Sequence, residues 1–568
     1  MIKSYIELIK KFFSLGANNK KLLFHLFLSA SLRSLTLLLI PFAASKIVEY
    51  ATISDYTITI IWIVLFLIIS LIYVGFHHYN YVAYKNNSIF THNKLQELIM
   101  NKVTTYDENF SKEISTPYIV NTAFNDVGDV MQIPDIAFDA IAELVSIVIA
   151  LIILANVNIW IGLMTLILNI ISLVLIIRDL KKEEYYLDNQ RKHQDSISGL
   201  MGQVLDGNKE IKAFNMKEDI YGHLEKYKKE WRKDYNKKRK YVDRVYVLLP
   251  MILGIGKILV YLISIYLILN NKFSIAILIL VIGYYEKVQS EFGLFLDKLY
   301  YLSDFNIKVN RVYTILNYKT KNMIEFGLYK EDNIKGKVEL KNVSFNYENE
   351  KVMKNVSLTF KPKSFTAIVG KSGSGKSIIL RLLLRLYRPN KGEIFLDNIN
   401  IKEYTKEVYS TNVAIVTQKP FIFDMSIREN FNLVDSNHER QVAACKRVGI
   451  HDYIMSLKDG YNTKLISDAE NISSGQKQLI ALARTLLSNA EVLLFDEVTS
   501  SLDINTSKQV MKILKDLKKD HTIIMITHKP KLMQLADEVV IIDKGKVVGI
   551  SKHRELLKTN KYYQLLQK

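Results

Sequence analysis

Hydrophobic and polar positions divide the chain into two dissimilar halves. Six stretches in the first half are apolar around the whole helical circumference, at approximately 22–49, 56–82, 134–156, 159–178, 244–270 and 273–304. The second contains IIWIVLFLIISLIYV, the third LVSIVIALIILA and the fourth IGLMTLILNIISLVLII. A helix in water needs only one apolar face, and each stretch reaches the ~20 residues that a bilayer-spanning helix requires. The pattern predicts an all-α domain of six spans over 22–305. Ahead of it, MIKSYIELIKKFFSLGANNKK is basic and amphipathic, with Ile6, Ile9, Phe12 and Phe13 on one side. Over 1–21 this predicts a helix lying on the membrane surface rather than a cleaved leader.

From residue 336 the period changes. Short β-type runs appear (VELKNVSFNY, FTAIVG, GEIFLD, VAIVTQ, EVLLFD, TIIMIT, EVVIID), many of them separated by helical stretches. Strands alternating with helices predict an α/β domain over 336–568 with a largely parallel sheet buried on both faces. The polar stretch 306–335, rich in Lys and Asn, reads as the linker.

Charge fixes the expected topology. The segments near 50–55, 156–158 and 270–272 are almost free of Lys and Arg, whereas the long segments 83–133 and 179–243 are rich in them, the latter including KKEWRKDYNKKRK. Cytoplasmic loops carry such an excess, so both long loops and both termini are expected in the cytoplasm, in a multi-pass protein of the cell membrane. The helical period continues through these loops, so the spanning helices are expected to extend beyond the bilayer. The formal charge of +19, from 76 Lys+Arg against 57 Asp+Glu, is thereby assigned to membrane topology and not to nucleic-acid binding. One cysteine, Cys445, leaves no disulfide framework and no cysteine-cluster metal site. High Lys, Asn and Ile usage points to an AT-rich bacterial genome.

Two motifs carry chemistry. Gly370-Lys371-Ser372-Gly373-Ser374-Gly375-Lys376-Ser377 follows the run FTAIVG and opens a helix. This is the spacing at which glycines let backbone N–H groups curl around phosphate oxygens, with a lysine for the β- and γ-phosphates and a hydroxyl for Mg²⁺. Val492-Leu493-Leu494-Phe495 then ends in Asp496-Glu497. Asp496 suits the Mg²⁺ shell, and Glu497 suits orienting or deprotonating the attacking water.

Between them lies Ile472-Ser473-Ser474-Gly475-Gln476-Lys477-Gln478, which resembles the signature motif of ATP-binding cassette (ABC) proteins. The resemblance covers nearly the whole chain and is closest to exporter-type half-transporters. It implies that Tyr347 stacks on adenine, that Gln418 links Mg²⁺ to the membrane domain, and that Ser501-Leu502-Asp503 form a subunit-contact loop. It further implies that His528, after Thr527, senses the γ-phosphate. ATP and Mg²⁺ are the implied cofactors. Each ATP would sit between Gly370–Ser377 of one subunit and Ser473, Ser474, Gly475 and Gln476 of the other, so the resemblance implies a dimer. A homodimer is favoured over a heterodimer because Glu497 is retained. FSKEISTPYIVNTAFNDV and DGNKEIKAFNMKEDIYGHLEKY resemble that group's coupling regions. The implied function is ATP-driven export of a peptide, drug-like or amphiphilic compound by alternating access. Alternatives are a lipid flippase and a non-transporting sensor or channel; an importer is disfavoured.

The chain departs from the family pattern at four places. Ser474 stands for a glycine, Ile378 for a hydroxyl residue, Leu479 for an arginine and Ser467 for a glutamate, which bears on coupling and ATPase rate. About twenty residues precede the first span, and a cysteine-peptidase domain is not expected there. The cargo is not named by the sequence. Ionisable or polar positions inside the spans (Arg33, Glu143, Asn169, Lys257, Tyr284 and Glu286) are candidates for the translocation path, since such residues are costly in lipid.

Overall fold

The computed structural model describes residues 2–566 apart from 106–109, 319–324, 332, 348–349, 467–470 and 500–501. Two compact units result, one helical and ending at Lys319, the other running from Thr320 to the C-terminus.

The helical unit begins with α1 (Ile2–Ser14), whose Leu8 and Phe12, a turn apart, are buried together with Leu15 beyond its end. Phe13, expected on the apolar side, is exposed instead. The helix packs inside its own unit, where Lys11 Nζ donates to Asn310 Oδ1 at 2.7 Å. The first predicted span is two helices, α2 (Lys20–Leu37) and α3 (Leu39–Thr52). Pro41 has no N–H, so the helical bond to Leu37 cannot form. The neighbouring Leu38 carbonyl accepts the Tyr284 hydroxyl at 3.0 Å.

Then follow α4 (Tyr56–Val103), α5 (Ile133–Val157), α6 (Ile159–Asp206), α7 (Lys217–Leu269) and α8 (Ile275–Leu316). The 48-residue α4 and α6 are roughly 72 Å long at 1.5 Å per residue, more than twice the hydrocarbon core. Among the described residues, five helical segments are long and apolar enough to cross a membrane: Lys20–Thr52, Tyr56–Val103, Thr116–Val157, Ile159–Asp179 and Lys217–Leu269. The sixth predicted span, in α8, has the length but carries Glu286, Lys287 and Glu291 close together. Lys287 and Glu291 are both buried and ion-paired one turn apart, which is how a long helix carries charge through a packed interior.

A ladder of ion pairs joins α8 to α5 and the short helical turns before it. Lys298 meets Asp139 at 3.8 Å, Lys308 meets Asp129, and Arg311 meets Asp126 at 3.0 Å. The steps are ten and three residues on both sides, in opposite directions, so the rungs fix one antiparallel register. The stretch read from sequence as a linker is divided. Phe305, Val309, Val312 and Ile315 are buried at helical spacing, and α8 therefore continues to Leu316.

The second unit has two sheets. The first is antiparallel, in the order β2-β1-β4-β5, from β1 (Val338–Tyr347), β2 (Glu350–Phe360), β4 (Lys391–Leu396) and β5 (Ile399–Asn400). The second has the order β10-β9-β3-β8-β7-β6. It contains β3 (Phe365–Val369), β6 (Val413–Val416), β7 (Val492–Asp496), β8 (Thr522–Ile526), β9 (Glu538–Asp543) and β10 (Lys546–Ser551). All its pairings are parallel except β9–β10. β3 and β8 are buried at every position, which explains their unbroken apolar runs.

Candidate functional site

In parallel sheets, ligands bind beyond the carboxyl ends of the strands. β3, β7 and β8 deliver their loops to that edge. β3 runs into the phosphate loop, which turns into the helix Lys376–Leu383. A Cβ on Gly370, at φ +154°, would lie 2.1 Å from the Ile542 carbonyl. Gly375, at φ +101°, leads into the helix, and a Cβ there would meet the Val352 carbonyl at 3.1 Å. The loop is buttressed from behind, where Gly545 N donates to the Ser374 carbonyl at 3.1 Å.

Lys376 is only 7% exposed. Its Nζ donates to the carbonyls of Gly370 at 2.9 Å and Lys371 at 2.8 Å. Burial pushes its pKa down, against the opposing pull of Glu497 and Asp496. The buried Ser374 Oγ has no hydrogen-bond partner among the described residues. A cationic side chain bent over its own loop, an unspent hydroxyl and a glycine-lined cradle together fit a polyphosphate.

β7 places Asp496 and Glu497 at its end. Burial, then the neighbouring Glu497 charge, raises the Asp496 pKa, with Arg381 and Lys376 opposing. Glu497 adopts φ +48°, a conformation costly to a residue bearing a Cβ. It turns the carboxylate toward two partners: Gln418 Nε2 donates to Oε2 at 3.3 Å, and His528 Nε2 lies 3.1 Å from Oε1. Gln418 follows β6 and His528 follows β8. Three residues separated by 79 and 31 positions in the chain thus converge on one acid. A hard cation would find oxygen donors nearby in Asp496, Gln418 and the exposed Ser377.

Tyr347 ends β1, and its ring meets Tyr387 edge-on at 6.4 Å. Ser473 caps the helix Ser474–Leu487 through a reciprocal capping box: Gln476 N donates to Ser473 Oγ at 3.2 Å and Ser473 N to Gln476 Oε1 at 2.8 Å. No hydrogen bond joins Ser473–Gln476 to the phosphate loop among the described residues. The same helix reaches the Gln418 loop, where Gln478 Nε2 donates to the Thr417 carbonyl at 3.2 Å and Arg484 to the Phe421 carbonyl at 2.9 Å. Leu479 is buried in the domain core, which explains an apolar residue at that place. Asp503 caps the helix Ile504–Leu517, and Leu502 is partly buried. Ser501 and Ser467 lie outside the described residues. Sequence reasoning missed Lys529, whose Nζ donates to the Thr499 carbonyl and so ties the His528 loop to the loop after Glu497.

The six membrane candidates separate into two groups. Arg33 pairs with Asp139 at 2.9 Å, and Glu143 pairs with Lys298. Asn169 Nδ2 donates to the Thr165 carbonyl one turn away at 2.8 Å, and Tyr284 serves the helix break at Leu38. Glu143, Asn169 and Tyr284 are buried within this single chain, so each serves its packing rather than an open face. Lys257 and Glu286 pair with each other at 2.6 Å and keep half-exposed side chains.

The fold and this edge define a helical membrane domain fused to a P-loop nucleotide domain. Residues 23–290 match the family model described as the ABC transporter transmembrane region, and 353–500 match the one described as ABC transporter. Between them they take in most of the chain, which belongs to the ABC transporter superfamily and binds ATP through its C-terminal domain. An ATP-dependent lipid A-core flippase of Haemophilus influenzae is 37% identical over 245 residues, 42% of each chain. The flippase of Francisella tularensis is 36% identical over 258 residues, 45% of this chain and 42% of that one. The leptomycin B resistance protein pmd1 of Schizosaccharomyces pombe is 36% identical over 236 residues, 40% of this chain and 17% of that one. The chain thus spans about two fifths of the length of the bacterial relatives it matches. A bacterial Atm1-family ABC exporter solved with ATP bound has the same fold, with TM-score 0.86 over 96% of this chain and 98% of that one, at 20% identity.

Proposed function

We propose that the chain is one half of an ATP-driven exporter, working as a homodimer in a bacterial cell membrane with both termini in the cytoplasm. It moves a peptide, drug-like or other amphiphilic compound by alternating access. The observation that carries this reading is the convergence of Gln418 and His528 on the Glu497 carboxylate, beside the phosphate loop.

In this reading Tyr347 stacks on adenine, the amides of Gly370–Ser377 hold the phosphates, and Lys376 leaves its loop carbonyls for the β- and γ-phosphates. Ser377, Gln418 and Asp496 would hold Mg²⁺, which would supply charge neutralisation at the γ-phosphate. Glu497 takes a proton from the attacking water, and His528 holds that carboxylate and meets the γ-phosphate. The capped helix end at Ser473–Gln476 has N–H groups suited to an anion, but among the described residues of its own chain no hydrogen bond brings it to the phosphate loop. Its ATP therefore belongs to a second copy, and hydrolysis releases the clamp.

The test is ATP hydrolysis and vectorial transport in proteoliposomes. Glu497→Gln is expected to lower turnover at least ~100-fold while ATP still binds and holds the dimer closed. Hydrolysis at the full rate would remove Glu497 from its role, and normal turnover by a monomer would remove the shared site. A second reading, lipid translocation, is favoured by the flippase relatives. Stimulation of hydrolysis by lipid and not by a peptide or compound panel would select it.

A further inference from the structure

A cavity of about 270 Å³ lies beyond the C-terminal end of the phosphate-loop helix. Arg385 lines it in a left-handed turn, φ +56°. Its guanidinium donates to the Ile401 carbonyl at 2.8 Å and to the Glu325 carbonyl, and it stands 3.9 Å from the Phe326 ring centroid. That buried cation is committed to the fold. Two others are not: Arg388 and Lys402 are exposed lining residues, and neither is ion-paired among the described residues. Among the described residues, Glu325 is the one acid lining the cavity. Phe326 and Tyr387 supply aromatic surface, so the recess is apolar within and positively charged overall.

We propose that this cavity binds a small aromatic anion, its ring against Phe326 and Tyr387 and its acid group toward Arg388 and Lys402. Cation–aromatic pairing and a few converging polar groups on an apolar wall are what such a ligand needs. The volume suits one or two rings. Occupancy is transmitted to the nucleotide, because Tyr387 packs on Phe345 at 5.2 Å and edge-on to Tyr347 at 6.4 Å. The phosphate-loop helix also runs between the cavity and Lys376. The inference does not rest on the cargo or direction of transport.

The probe is 4-fluorobenzoate, followed by ¹⁹F NMR with the full-length chain in lipid nanodiscs. Saturable binding is expected, weakened at least tenfold in the double variant Arg388→Glu, Lys402→Glu. Phe326→Leu, which removes the ring and leaves the charge, weakens it as well. Saturating probe should shift the half-saturating ATP concentration at least twofold in the parent and not in the double variant, whose hydrolysis without probe matches the parent's. Unchanged affinity in the double variant, or no saturable binding, overturns the site. Displacement by an equal concentration of inorganic phosphate overturns the aromatic requirement. Binding without any shift in ATP dependence overturns the link to the nucleotide.

Discussion

In the helical unit Lys298 meets Glu143 and Asp139, while in the nucleotide domain Lys376, among the described residues, meets only main-chain carbonyls of its own loop. Both ammonium groups are largely buried. The difference lies in what faces them. Lys298 is neutralised by carboxylates inside one chain, as are Arg33 and Lys287. Lys376 sits beside two adjacent carboxylates that do not pair with it directly, and one of these, Glu497, is held by Gln418 and His528. Burial of charge is costly in either setting. Where it is met by a carboxylate, it specifies packing; where it is held only by the carbonyls of its own loop, it is available to a ligand.

Removing one partner from a closed pair should have the largest effect. Lys298→Leu leaves Glu143 buried without its cation, and a loss of about 3–5 kcal/mol is expected, read as a lowered unfolding temperature in detergent. Adding Glu143→Leu should recover most of that loss. If the single variant is as stable as the parent, the contrast between paired and unpaired charge fails.

Next comes a buried thiol in the nucleotide core that stays neutral. Burial pushes the Cys445 thiol up to about 11, against a smaller opposing bond from Tyr461. At pH 8 its thiolate is therefore scarce, and maleimide labelling of the folded protein should run at least ~100-fold slower than after unfolding. Labelling at the unfolded rate would show that this core is open.

Lys376→Ala should lower ATP hydrolysis by about a hundredfold, measured in proteoliposomes, while costing about 1–3 kcal/mol of stability for the two loop hydrogen bonds. A large stability loss would place Lys376 with Lys298 rather than apart from it. The smallest effect is expected at the helix cap. Ser473→Ala removes one side-chain acceptor and should cost about 1 kcal/mol. Ser473→Thr keeps the acceptor and should restore that stability.

The legible parts were those whose residues are consecutive. The phosphate loop reads directly from Gly370 to Ser377, because one short segment contains the whole cradle. The convergence of Gln418, Glu497 and His528 is different. Each stands alone at a strand end, and only their order, through resemblance, suggested a common site. β2 escapes the period-2 pattern because Lys351, Lys354 and Asn355 interrupt its alternation. The C-terminal part of α8 reads as linker because Asn306, Lys308, Asn310 and Arg311 open a polar stretch that runs to 335, although Val309, Val312 and Ile315 recur at helical spacing. The ion-pair partners were not legible at all: a helix shows which face its own lysines occupy, but not which acids stand opposite.

The ladder between α8 and the acids at 126, 129 and 139 makes chain length itself a structural parameter. One residue inserted between Asp129 and Asp139 would turn everything on one side of it by about 100°. The rungs on that side would then aim away from Lys308 and Arg311, although every charged side chain is still present. No charge would be lost, yet the clasp would come undone, so this segment should accept substitutions far more readily than additions or deletions.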